Sequence, residues 1–170
     1  DVAADARSPM TMVKAPVGRM FLHGAPFLKR SNVSVLPCRP RIDERVVLEA
    51  YPALVARRLI GKTRYKADTN VENPHLLADA RRELVDGLMA QSLKDEFGMR
   101  IVIDRTIREE LIEQTSADSL DAVLCALQAA WSWTRREQGW GIPSRVDPLE
   151  GWIVDPALGA LPPQAVPVSH

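Results

Sequence analysis

Residues 45–61, RVVLEAYPALVARRLIG, decide the fold class of this chain, because a short apolar run passes directly into a helical pattern. Residues 45–50 are rich in β-branched side chains and have one charged interior residue, Glu49, which predicts a central strand. Pro52 suits the first helical position, where its missing N–H costs nothing, and Gly61 suits the helix end. A strand joined to a helix by one or two residues is typical of α/β layers, so we predict an α/β protein.

Weaker patterns flank this strand–helix unit. Alternating Val33 and Val35 predict a short edge strand that ends at Pro37. Apolar spacing predicts three further helices, over residues 74–94, 104–113 and 118–136. It also predicts one further strand, over residues 99–103. Gly87 lies inside the first of these helices and weakens its continuity. A last extended piece is expected at residues 152–154.

We expect one domain over residues 1–170. Its parts are an extended, irregular lead-in over residues 1–41, an α/β body over residues 42–136 and a Gly/Pro-rich tail over residues 137–170. A compact domain rarely begins with so long an irregular stretch. We therefore expect that the natural protein has further residues upstream of Asp1.

The composition excludes several classes of protein. The 170 residues are 46% hydrophobic and 26% charged, which is enough for a sizeable core. No apolar run approaches the roughly 20 residues that cross a bilayer, so we expect no membrane partner. Cys38 and Cys125 are too few for a disulfide scaffold, and reduced thiols are the simpler interpretation, which indicates a cytoplasmic protein.

The formal net charge of zero conceals a strong asymmetry. Residues 1–66 hold 13 basic and 5 acidic side chains, a net +8, whereas residues 67–170 hold 9 basic and 17 acidic ones, a net −8. Such asymmetry indicates a polyanion-binding face beside an acidic region. The alternative is that folding interleaves the two halves and averages their field. Zero net charge therefore does not exclude a nucleic-acid partner.

Three acids occupy positions that suit a divalent cation. Glu49 lies at the carboxyl end of the predicted central strand, where open α/β sheets bind ligands, and Asp118 and Asp121 share one helix face. Mg²⁺ or Mn²⁺ binds one or two carboxylates with water and phosphate oxygens, and such ions activate water for phosphodiester cleavage. Two alternatives stay open. Asp118 also suits a helix N-cap with Asp121 in the first turn, and Glu49 also suits a pair with a core arginine.

A basic cluster follows the strand that carries Glu49. It consists of Arg57, Arg58, Lys62, Arg64 and Lys66. Phosphate-backbone contacts draw on such clusters, and their contribution weakens with salt. The alternative is a solvated helix end, where the dipole favours cations. Neither a P-loop nor a G-x-G-x-x-G turn is present, so nucleotide-binding folds of those kinds lose support.

The remaining thiol and aromatic side chains suit a core better than a site. We expect Cys125 to be a packed thiol on an apolar helix rather than a nucleophile. Tryptophans can stack on bases, but a Trp-rich helix and tail predict core positions for Trp131, Trp133, Trp140 and Trp152.

Several motifs together resemble a bacterial family of uncharacterised proteins. They are EAYPALVARRLIG (residues 49–61), YK (65–66), DSLDAVLCALQAAW (118–131) and DPLEGWI (147–153), with PVGRMF (16–21), GAP (24–26) and VSVLPCRP (33–40) upstream. The family is known as domain of unknown function 429 and is described as a ribonuclease-H-like nuclease. Its D-x-x-D-A pattern also resembles the last helix of RuvC-type junction resolvases. The resemblance runs in order along nearly the whole chain.

This resemblance implies a ribonuclease-H-like fold, in which helices flank a mixed five-stranded sheet and acids surround a divalent metal. It implies that Glu49 ends the fourth strand and that Asp121, with Asp118 beside it, lies on the final helix. Family members also carry an N-terminal portion with the first three strands and a first-strand Asp. Residues 1–41 show no such pattern. We therefore expect the C-terminal portion of the domain, with an exposed sheet edge that favours dimerisation.

Three hypotheses about function follow. The first is a metal-dependent nuclease, in which Glu49, Asp118 and Asp121 hold Mg²⁺ or Mn²⁺, a metal-activated water attacks, and the basic cluster of residues 57–66 holds the phosphate backbone. The second is a non-catalytic ribonuclease-H-like scaffold that binds nucleic acid or a protein partner. The third is a structural homodimer, in which the +8 half packs on the −8 half of a second copy.

Overall fold

The computed structural model describes residues 17–67 and 73–159. In these residues the helices are α1 (Val17–Arg30), α2 (Pro52–Ile60), α3 (Pro74–Leu88), α4 (Gln91–Phe97), α5 (Arg105–Glu113), α6 (Asp118–Trp133) and α7 (Pro156–Gly159), and the strands are β1 (Ser34–Val35) and β2 (Val46–Val47). The chain divides into two compact units, the first up to Glu49 and from Ile142 onward, the second over Ala50–Gly141. The predicted α/β class is confirmed in this coarse form, a helix-rich chain with a small parallel sheet.

In the first unit, three extended segments lie side by side. Strands β1 and β2 pair in parallel, with Ser34 opposite Val46. Ile153 forms a parallel bridge with Glu49, and the Val154 N–H donates to the Glu49 carbonyl at 2.9 Å. The predicted extended piece at residues 152–154 is therefore confirmed. The two predicted strands exist, but each is only two residues long.

Helix α1 contradicts the prediction of an irregular lead-in. It includes Pro26 within its length. The Arg39 guanidinium closes the C-terminal end of the helix, because it donates to the carbonyls of Leu28, Lys29 and Ser31 at 2.5–3.0 Å. A side chain ten residues downstream thus satisfies carbonyls that a helix end leaves open. The prediction for residues 1–16 lies outside the described residues.

In the second unit, α2 packs on both α3 and α6, and α3 also packs on α5. The core between these helices contains the fully buried side chains of Val55, Leu84, Val85, Leu120 and Leu124. A Cβ at Gly87 would lie 3.2 Å from the Leu59 side chain, so the glycine permits close approach of α3 to α2. None of the helices in the described residues has the length and apolar character needed to cross a membrane.

Three predictions in this unit are wrong, two helix ends and one strand. The helix predicted over residues 74–94 ends at Leu88, and a separate helix begins at Gln91. Residues 99–103 are not a strand, since among the described residues none pairs with them and Val102 is 80% exposed. The last long helix ends at Trp133 instead of Arg136. The predicted α2 and α5 are confirmed, with Pro52 and Gly61 at the ends of α2.

A buried arginine connects three parts of the second unit. Arg81 on α3 is 3% exposed, and its Nε donates to the Ile112 carbonyl at the end of α5 at 2.5 Å. Its Nη1 donates to the Tyr65 carbonyl at 2.9 Å. Burial lowers the pKa of the Arg81 guanidinium from its ordinary value. The segment that contains Tyr65 is therefore tied to the helical core through a charged donor.

The segment Arg136–Gly141 after α6 is a 3₁₀ helix interrupted at Gln138, Gly139 and Trp140. Gly139 and Gly141 adopt φ of +73° and +72°, a region that L side chains rarely enter. A Cβ at Gly141 would lie 2.6 Å from the Trp131 ring, whereas a Cβ at Gly139 would meet nothing within 4 Å. Of these two glycines, only Gly141 is therefore required both by its backbone conformation and by packing.

We expect Arg81→Met to lower the free energy of unfolding by about 3 kcal/mol, because two buried carbonyls lose their donor. The matched control is Arg82→Met, which removes an exposed i,i+3 ion pair with Asp79 and should change stability by less than about 0.5 kcal/mol. Urea denaturation followed by far-UV circular dichroism measures both. Equal effects of the two variants would contradict the structural role of Arg81.

We expect Gly141→Ala to destabilise the chain by about 2–4 kcal/mol, because strain at positive φ adds to overlap with the Trp131 ring. Gly139→Ala carries only the strain and should cost about 1 kcal/mol. The difference between their urea midpoints isolates the packing contribution. A larger cost at Gly139 than at Gly141 would show that the close Trp131 contact is not made.

Candidate functional site

Residues from three of the motifs quoted above meet in the first unit. Glu49 lies just beyond β2, and a Cβ at Gly151 would lie 3.2 Å from Glu49 Oε2 and 3.8 Å from Cys38 Sγ. Gly151 has φ +74°, so both its conformation and its neighbours favour glycine. The Glu49 carboxylate and the exposed Cys38 thiol therefore both lie next to Gly151.

The Glu49 carboxylate has an unusual environment for an acid on the protein surface. The residue is exposed overall, yet the surrounding protein displaces part of the water from its carboxyl group, and this desolvation raises its pKa from the ordinary 4.5. Among the described residues, no side chain or N–H donates to this carboxylate, so none of the described arginines forms the Glu49–arginine pair. A partly desolvated carboxylate with no donor is a common feature of functional sites.

A second cluster forms at the start of α6 in the second unit. The Tyr65 hydroxyl donates to Asp121 Oδ1 at 2.7 Å, and the Lys66 ammonium donates to Asp121 Oδ2 at 2.5 Å. The Lys66 side chain is 46% exposed and that of Asp121 is 19% exposed, so solvent reaches the pair. The YK motif and the D-x-x-D-A motif therefore meet at one carboxylate.

Tyr65 serves this cluster as a neutral donor. Burial, together with the hydrogen bond to the Asp121 carboxylate, raises the pKa of the Tyr65 hydroxyl far above its ordinary 10.0. Cys125 lies one turn further along α6 and is only partly buried, and burial followed by the Asp121 charge raises its thiol pKa. Cys125 is therefore held as a thiol, which fits the expected packed side chain better than a nucleophile.

Asp118 occupies the first turn of α6 but not its N-cap. The N-cap is Ala117, with a left-handed φ of 56°, so the alternative of Asp118 as N-cap is wrong. The exposed Asp118 carboxylate accepts a hydrogen bond from the Ser116 hydroxyl at 2.8 Å. Asp121 does lie in the first turn, as that alternative predicted, where a carboxylate is favoured by the helix dipole.

Gln128 on α6 fixes the start of α2. It is fully buried, and its Oε1 accepts a hydrogen bond from the Tyr51 N–H at 2.9 Å. No side chain caps α2 at Tyr51 itself, so this amide supplies an acceptor from another helix. The buried amide thus joins the motif containing Tyr51 to the motif containing Asp121.

The five predicted phosphate-binding cations have different environments. Arg58 pairs with Glu96 at 2.7 Å, and the Arg57 guanidinium lies 5.8 Å from the centre of the Tyr51 ring. Arg64 Nε donates to the Lys66 carbonyl at 2.9 Å, and Lys62 is exposed. Arg64 and Lys66 therefore belong to the segment at Asp121, whereas Arg57 contacts Tyr51 and Arg58 pairs with Glu96. Their role toward phosphate stays a prediction.

The acids of α6 suit a hard cation in their chemistry. Asp121 accepts two hydrogen bonds, whereas a carboxylate has about four acceptor positions, and Asp118 is exposed on the same turn. Mg²⁺ needs only one or two protein carboxylates when water and phosphate complete its shell. Within either unit, no three His, Cys, Asp or Glu side chains of the described residues are grouped around a common point. The metal assignment of Glu49, Asp118 and Asp121 stays a prediction.

Three contributors to these clusters were not predicted from the sequence. Tyr65 was quoted only as part of a motif, and Cys38 and Gly151 were given no role. The motif resemblance contained a signal for each of them, because all three lie inside the quoted motifs. Residue spacing contained no such signal, since the partners of these three residues are distant in the chain.

We expect Glu49→Gln to raise the urea midpoint at pH 7, because the folded state holds the ionised carboxylate where water is partly displaced. The folded-state pKa lies above the ordinary 4.5, so the wild type loses stability relative to the variant as pH rises above about 4.5. The wild type and the variant should have equal urea midpoints at about pH 4. Glu44→Gln, an exposed acid of the same unit, is the control. A variant less stable than the wild type at pH 7 would contradict the desolvation of Glu49.

Comparison with known proteins agrees with the motif resemblance. The family described as Protein of unknown function (DUF429) matches residues 30–146, which contain both clusters apart from Gly151. No curated protein and no solved structure matches the chain. Since the match covers more than half of the sequence, the chain belongs to the DUF429 family.

Proposed function

We propose that this protein is a metal-dependent nuclease with a ribonuclease-H-like fold that hydrolyses phosphodiester bonds. The observation that carries the proposal is the Asp121 carboxylate, oriented by Tyr65 and Lys66 and partly accessible to solvent at the start of α6. A fixed carboxylate beside a half-exposed ammonium provides one group for a cation and one for a phosphate oxygen.

In this proposal each side chain has a separate role. Tyr65 donates to Asp121 and fixes the direction of its carboxylate, while Asp118 adds a second carboxylate on the same turn. Lys66 turns from Asp121 toward a non-bridging phosphate oxygen when substrate binds. Glu49 is the further ligand that the family resemblance assigns, and its raised pKa also suits it to accept a proton. Bound Mg²⁺ or Mn²⁺ would supply charge stabilisation and an activated water.

One observation favours the rival hypothesis of a non-catalytic scaffold. Both Asp121 oxygens already accept hydrogen bonds, from Tyr65 and from Lys66, and a neutralised carboxylate is also what a structural ion pair provides. Such a scaffold, alone or as a homodimer, would bind nucleic acid or a protein partner without cutting. The two hypotheses differ in the effect of removing the Asp121 charge.

The test is cleavage of labelled DNA and RNA, single- and double-stranded, by the full-length protein in Mg²⁺ and in Mn²⁺. We expect Asp121→Asn and Glu49→Gln each to lower kcat at least about 100-fold, because a metal ligand or proton acceptor is lost. We expect Lys66→Met chiefly to raise KM, because it removes a phosphate contact. Asp79→Asn, which alters an exposed ion pair on α3, is the matched control and should keep full activity.

Undiminished turnover in both Asp121→Asn and Glu49→Gln would overturn the nuclease assignment. Binding of nucleic acid without cleavage by the wild type in either metal would favour the scaffold. Thermal unfolding of each variant must accompany the assay, because Asp121→Asn also removes the charge that Lys66 faces.

A further inference from the structure

Two tryptophans near the end of α6 contradict the expectation that they belong to the core. Trp131 is buried, as expected, but Trp133 is 54% exposed and Trp140 is partly exposed. The ring centroids of Trp133 and Trp140 lie 5.6 Å apart at an interplanar angle of 65°, an edge-to-face pair. This pair presents aromatic surface to solvent on the second unit.

Arginines accompany these rings. The Arg136 guanidinium lies 4.9 Å from the centre of the Trp133 ring, and the Arg135 guanidinium lies 4.4 Å from that of Trp131. The acid that faces Arg136 is Glu137, at 3.5 Å, and it is 86% exposed, so solvent screens this pair. The surface therefore combines an exposed indole with positive charge, the pair of features with which proteins bind single-stranded nucleic acid.

The backbone holds Trp140 in a strained conformation. Its φ of 63° is left-handed, which is uncommon for a bulky residue and is associated with functional sites. The Ser132 hydroxyl donates to the Trp140 carbonyl at 2.5 Å, and the Trp140 N–H donates to the Arg135 carbonyl at 2.9 Å. The neighbouring Gly141 packs against Trp131. The Trp140 ring is thus fixed beside Trp133 before any ligand arrives, which lowers the entropy cost of binding.

We propose that Trp133, Trp140 and Arg136 form a stacking platform for an unpaired base, so that the substrate class is single-stranded nucleic acid. That the partner is a nucleic acid rests on the proposed function, and the platform adds a preference for single-stranded over double-stranded nucleic acid. An unpaired base offers its face to an indole, whereas bases inside a duplex are stacked on one another. The nearby arginines favour a polyanion over an apolar protein surface.

The experiment measures binding without cleavage. Fluorescence anisotropy with a labelled oligothymidylate and with a labelled duplex, both in EDTA, gives Kd for the full-length protein. We expect Trp133→Ala to weaken oligothymidylate binding about 10- to 100-fold and Trp133→Phe to restore most of it, because phenylalanine also stacks. Arg136→Gln should weaken binding and reduce its salt dependence. Leu76→Ala, which removes a 66% exposed apolar side chain from α3, should bind as the wild type does.

The outcomes separate this inference from the proposed function. If the wild type binds the oligothymidylate and Trp133→Ala binds it equally well, the platform is overturned and the nuclease proposal stands. Tighter binding of the duplex than of the single strand also overturns the platform alone. If the wild type binds neither nucleic acid in EDTA, the platform is overturned, and the cleavage assay in Mg²⁺ and Mn²⁺ decides the nuclease proposal separately. If Trp133→Ala instead abolishes self-association in sedimentation and leaves Kd unchanged, the surface belongs to a second copy of the chain and the platform is overturned.

Discussion

The Arg81 guanidinium is the constraint on which the geometry of the second unit depends. It is nearly fully buried, and its two donors hold the carbonyls of Tyr65, which follows α2, and of Ile112, in the last turn of α5. Burying a charge is unfavourable unless it forms hydrogen bonds, so Arg81 remains stably buried only while both carbonyls stay in place. The position of Tyr65 follows from this, and with it the approach of Tyr65 and Lys66 to Asp121.

The two predicted acids at the centre of the proposed function differ in how the protein treats their charge. Asp121 accepts hydrogen bonds from a neutral hydroxyl and from an ammonium. The described surroundings of Glu49 offer its carboxylate no donor, and partial loss of water raises its pKa. One carboxylate is thus held by two donors, whereas the other is partly desolvated without one.

The fold was predictable wherever short-range interactions determine it. Helix α2 follows from Pro52, Gly61 and an apolar stripe between them, and α5 begins where the Asp104 carboxylate caps the Ile107 N–H. Prediction failed at α1, where Pro26 suggests irregular chain but Arg39 satisfies the open carbonyls. It failed again at residues 99–103, because an apolar run forms a strand only when a neighbouring strand accepts its hydrogen bonds.

The sequence by itself determined which residue types the proposed site uses, because Glu49, Asp121 and the YK pair are local features that a motif can record. Only the tertiary structure decided their partners. Tyr65 and Lys66 lie 56 and 55 residues from Asp121 in the chain, and no periodicity relates positions so far apart.

The tertiary structure also decided the exposure of Trp133, whose indole a helical pattern assigns to the core. Its exposure depends on where the last turn of α6 ends and on how Gly139 and Gly141 redirect the chain. Local sequence sets backbone conformation, whereas contacts between distant segments set which side chains meet solvent and which meet each other.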